Sequence, residues 1–149
     1  MENLSVKETA KLKALRETLA RENLSCIVLL PNGEVVKELG TGVAPTVRLL
    51  ESGVLGGSIV VDKIIGKAAA MLLTLGEVRF AHGVVMSNSA AEWLRDHGVL
   101  FSYDTMVDYI INRAGDGMCP MEETVQGVSD EKIALALLKN KIEELKAKR

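Results

Sequence analysis

Two cysteines, Cys26 and Cys119, are all that the 149-residue chain holds, too few for a disulfide framework, and the expected setting is a reducing cytoplasm. Neither sign of charge dominates. Twenty acidic side chains stand against eighteen basic ones, a net −2, so the basic excess of a protein that grips nucleic acid through its phosphates is missing. No apolar run approaches the ~18 residues of a membrane span. The longest, from Ala68 to Leu75, is interrupted by Thr74. The opening Met1-Glu2-Asn3-Leu4-Ser5-Val6-Lys7-Glu8 carries charges where a signal peptide needs an apolar stretch, so none is expected.

What is present is 48% hydrophobic and 26% charged, the balance of one soluble domain over residues 1–149 whose core needs no staple. An N-terminal helix within residues 1–22 is expected from Val6, Leu12, Leu15 and Leu19, which recur at helical spacing among Lys and Glu. Residues 25–30 and 34–39 are β-rich runs around Pro31-Asn32-Gly33, a hairpin signal. Pro45 suits the first turn of a short helix ending at Ser52-Gly53. A strand over 58–61 then leads into a helix with Asp62 as N-cap and Gly76 as its C-terminal cap, apolar on nearly every side from Ala68 and therefore buried. Strands over 78–86 and 99–103 flank a helix for which Ser89-Ala90-Ala91-Glu92 fits a capping box. Residues 104–131 carry seven acids against Arg113 alone and little periodicity after Ile111, before a C-terminal helix over 130–146. The element order implies an α/β architecture, a mostly parallel sheet covered by helices on both faces.

Familiar phosphate motifs fail. Gly40-Thr41-Gly42 is followed by Pro45 where a dinucleotide fingerprint needs its third glycine, and Gly66-Lys67 is followed by Ala68 where a P-loop needs Ser or Thr. The junction at Asp62, Lys63, Gly66 and Lys67 is still a candidate anion site, because a helix start offers free N–H groups and the positive end of its dipole. The alternative is a capped helix with two solvated lysines. The second concentration of polar chemistry is Asn112, Arg113, Asp116, Cys119 and Glu122, with two glycines between them, or else a surface loop with Cys119 and Met121 tucked inward.

Together, the stretch Val60-Val61-Asp62-Lys63-Ile64-Ile65-Gly66-Lys67-Ala68-Ala69-Ala70 and the later Tyr109-Ile110-Ile111-Asn112-Arg113 and Cys119-Pro120-Met121-Glu122 resemble the DUF1893 family of uncharacterised bacterial and archaeal proteins, over roughly residues 20–140. The resemblance implies a cytidine-deaminase-like fold, a three-layer α/β/α sandwich around a mixed five-stranded sheet. A zinc deaminase holds its metal with a His or Cys two residues before a catalytic Glu, plus a Pro-Cys-x-x-Cys. Neither pattern occurs here, so no metal, no cofactor and no zinc-dependent deamination are expected.

The function these residues suggest is non-catalytic binding of a nucleotide-related or phosphate-bearing small molecule by Asp62, Lys63, Gly66 and Lys67, with Asn112 and Arg113 closing over it and Cys119 and Glu122 also among the binding residues. Residues 62–67 and 112–122 are expected to meet at one pocket. The alternatives are an enzyme using Cys119 as nucleophile or Asp62 and Glu122 as an acid–base pair, and a homo-oligomeric interaction module.

Overall fold

The computed structural model describes residues 4–148. Helix α1 (Val6–Arg21) opens on Ser5, whose hydroxyl accepts from the Glu8 N–H while the Glu8 carboxylate accepts from the Ser5 N–H, a reciprocal cap. Strands β1 (Cys26–Leu29) and β2 (Val35–Glu38) form the expected hairpin, turned at Gly33 with φ 93°, a left-handed conformation glycine adopts without strain. Then follow α2 (Ala44–Glu51), β3 (Ile59–Ile65), α3 (Lys67–Leu75), β4 (Phe80–Ser87), α4 (Asn88–Asp96), β5 (Leu100–Val107), α5 (Pro120–Thr124) and α6 (Glu131–Ala147).

The five strands make one mixed sheet in the order β2-β1-β3-β4-β5. β1 runs antiparallel to both neighbours, while β3, β4 and β5 are parallel. Alternate residues of the strands face opposite sides. Ile27, Ile59, Val61 and Phe80 pack under Leu12, Leu15 and Leu19 of α1, whereas Cys26, Val28, Val60 and Ala81 face α2, α3 and α4. Outside that helical layer lies α6, whose Ala134 and Leu138 close over α3. Sandwiched between sheet and helix, α3 is buried at every position from Ala68 to Leu73, which is why its sequence has no polar face.

Several boundaries differ from the sequence reading. β3 continues through Asp62 and Lys63 to Ile65, because Ile64 and Ile65 pair with Val85 and Met86 on β4. Asp62 is therefore a strand residue, and Gly66 is the N-cap of α3. Ser87, not Ser89, caps α4 by accepting from the Ala90 N–H. The last strand also runs further than 99–103, since β4 extends far enough to pair Ser87 with Val107. Helix α5 lies in the stretch that showed no period; five residues are too few to display one. Among the described residues, no helix is long and apolar enough to cross a membrane.

Candidate functional site at the start of α3

The chain leaves β3 at Ile65 and enters α3 at Lys67 through Gly66, which has no side chain with which to cap the helix. The first N–H groups of a helix have no partner within it. Here a residue from α5 supplies one: Glu122 accepts from the Lys67 N–H through Oε1 at 2.7 Å and from the Ala68 N–H through Oε2 at 2.9 Å. A Cβ on Gly66 would collide with this carboxylate, so the missing side chain is what lets Glu122 approach. Glu122 is buried. Burial pushes its pKa above the ordinary glutamate value, and the two N–H bonds and Lys67 pull against that rise.

The neighbouring residues divide between two faces of the sheet. Asp62 stands directly opposite Cys26 across the β1–β3 ladder and is 9% exposed, so most of its carboxyl is out of water. Its Oδ1 accepts from the Ile64 N–H at 3.2 Å, and burial raises its pKa from 3.8 to about 7. The Cys26 thiol is pushed well up by burial and then by the negative field of Asp62 and Glu38, so it is no thiolate. Lys63 alternates to the other side. Its ammonium donates to Asn23 Oδ1 at 2.8 Å, beyond the end of α1, and so it does not join an anion site at α3 as the sequence suggested.

Lys67 curls back along its own layer, donating to the Val125 carbonyl at 3.2 Å and standing 5.8 Å from the centre of the Trp93 ring. The second block splits. Asn112 spends its side chain on its own turn, accepting from the N–H groups of Gly115 and Asp116 and donating to Asp116 Oδ1 at 2.9 Å. Arg113 is exposed and is not among the groups acting on Asp62. Cys119 is the half-buried N-cap of α5, and its N–H is bonded to the Ile110 carbonyl. Of the eight residues expected at one site, the structure joins Gly66, Lys67 and Glu122, keeps Asp62 on the strand leading into them and Cys119 at the N-cap of α5, and leaves Lys63, Asn112 and Arg113 engaged or exposed elsewhere. Met121 is tucked inward, as the alternative reading of this segment had it, but its contact was not foreseen: its Cγ lies 3.9 Å from the position of a Cβ on Gly42, so α5 also reaches the turn that precedes α2.

The family model described as a domain of unknown function, DUF1893, matches residues 14–142. The chain belongs to the DUF1893 family. A solved crystal structure of a DUF1893 family protein from Thermotoga maritima is similar to it with a TM-score of 0.84 and 26% identity, covering 94% of this chain and 93% of that one. The comparison with curated proteins finds no match. Membership gives the DUF1893 chain a fold and no activity. Among the described residues, no group of three or more His, Cys, Asp or Glu side chains is placed to hold a metal ion, so zinc-dependent deamination lacks its ligand set.

Proposed function

We propose that this DUF1893 protein is a binding module on a cytidine-deaminase-like fold, which takes up a small phosphate-bearing, nucleotide-related molecule at the start of α3 in exchange for the Glu122 carboxylate. The observation that carries the reading is the two-point seat of Glu122 on the Lys67 and Ala68 N–H groups over a glycine. Two converging N–H donors at a helix start suit a phosphate as well as a carboxylate. Glu122 is then a tethered occupant that any anion must outcompete, and its own burial weakens its hold. α5, five residues long, is the element that moves with it. Two free cysteines support a cytoplasmic setting.

The experiment is calorimetric titration of inorganic phosphate and of a nucleoside monophosphate into the wild type and Glu122→Gln. Glutamine keeps the shape and removes the competing charge, so affinity is expected to rise about tenfold, or ~1.4 kcal/mol. If neither protein binds either probe while both remain folded, the binding reading is lost.

The enzymatic alternative has less behind it. Asp62 and Glu122 are held by different donors, Asp62 by the Ile64 N–H and Glu122 by α3, and no hydrogen bond joins the two carboxyls.

A further inference from the structure

On the opposite face of the sheet, beneath α1, a second polar cluster is built across two parallel strands. The β4–β5 register sets His82 directly beside Ser102, and Asp104, two residues further along β5, lies on the same face. His82 is 2% exposed. Its Nδ1 is 2.6 Å from Ser102 Oγ, and its Nε2 is 3.3 Å from Asp104 Oδ1, which is in turn held at 2.6 Å by Arg16 of α1. Nε2 is buried and has no partner in hydrogen-bond geometry, so the approach to Asp104 is a close electrostatic contact, not an aligned hydrogen bond.

That last contact decides the tautomer. A bare nitrogen lone pair facing a carboxylate is repulsive, whereas Nε2–H facing it is attractive, so the proton resides on Nε2. Nδ1 then carries the lone pair, and the short contact is Ser102 Oγ–H donating to His82. This is the order of roles in an activated nucleophile: hydroxyl, base, and a carboxylate that orients the base.

We propose that Ser102 is the nucleophile of a second site, acylated by small activated esters with His82 as its general base and Asp104 as the positioning residue. Ser102 Oγ bonds to the acyl carbon while its proton passes to His82 Nδ1; the ester C–O bond then breaks, His82 Nδ1–H gives that proton to the departing oxygen, and the group leaves as the neutral alcohol. Burial, set against the nearby Asp104, keeps His82 below the ordinary histidine value, so it is neutral and able to accept at pH 7. The substrate approaches from the open side. β5 is an edge strand, Ser102 is half-buried, and Tyr103, Asp104 and Thr105 are exposed. The N–H groups on the outer side of an edge strand are outside the ladder and open to a developing oxyanion.

The test is incubation of the full-length protein with p-nitrophenyl acetate, followed by peptide mapping. The expected result is an acetyl group on Ser102, lost in Ser102→Ala, with a labelling rate that rises with pH to a plateau and a midpoint below 6.5. His82→Gln should slow labelling by about a hundredfold. Asp104→Asn, an exposed change that leaves the fold intact even if His82→Gln does not, should slow it about tenfold or more and move the midpoint lower. Acetyl groups found only on lysines or Cys119 would overturn the proposal. So would Ser102 labelling that is indifferent to pH and to Asp104→Asn.

Discussion

Glu122 and Lys67, fifty-five positions apart in the chain, meet at 2.7 Å where a carboxylate oxygen accepts the first free N–H of α3. The contact makes α5 a cover over the start of the most deeply buried helix in the described chain, and it puts a negative group where an anionic ligand would sit.

Removing that group should be costly in a graded way. Glu122→Ala leaves two buried N–H donors without a partner and is expected to lower unfolding free energy by about 3 kcal/mol, against about 1 kcal/mol for Glu122→Gln, which retains an acceptor. Urea denaturation monitored by circular dichroism measures both. Equal losses would mean that the negative charge, and not the retained acceptor, dominates.

Gly66 and Glu122 should be coupled. A methyl group on Gly66 collides with the carboxylate, so Gly66→Ala destabilises the wild type, whereas in Glu122→Ala the methyl has room. The double variant is therefore expected to be more stable than the sum of the two single losses by at least about 1 kcal/mol, as a double-mutant cycle would show.

Asp62 sets a pH dependence of unusual sign for an acid. Its folded pKa, about 7, lies above the unfolded value near 3.8, so between those values the folded state binds the extra proton. Its contribution is fully present below pH 3.8 and is lost as pH rises through 7, a span of roughly 4 kcal/mol. Asp62→Asn should be more stable than wild type at pH 8, and the difference should shrink steadily toward pH 5. Melting curves at pH 5, 6, 7 and 8 for both proteins decide it.

Lys63 should be a bystander to any chemistry at α3. Because its ammonium is bonded to Asn23 on the α1 side, Lys63→Ala is expected to change stability by no more than about 0.5 kcal/mol and to leave phosphate affinity unchanged. Calorimetry on that variant checks both halves of the statement.

Much of the scaffold was legible from residues alone. Leu12, Leu15 and Leu19 marked the buried face of α1, Asn32-Gly33 marked the hairpin, and the unbroken apolarity from Ala68 marked a helix enclosed on all sides. Asp62-Lys63 misled because an acid after a short apolar run is also what a helix cap looks like; only pairing with β4 shows that the strand continues. The side on which Lys63 falls follows from that continuation and was lost with it. Glu122 was singled out, but its partner was beyond reach, since no local pattern links a residue of α5 to the N–H groups of α3. His82 falls within the strand expected over 78–86, yet its contact with Ser102 depends on the register of two parallel strands, which is set by packing and by no motif.

The most direct test of the Glu122 account follows the amide resonances of Lys67 and Ala68 in ¹⁵N-labelled Glu122→Gln as inorganic phosphate is added. The account predicts that these two signals move together and saturate, at lower phosphate concentration than in the wild type. Two unmoved amides in a folded Glu122→Gln protein, with shifts confined to surface lysines, would contradict it.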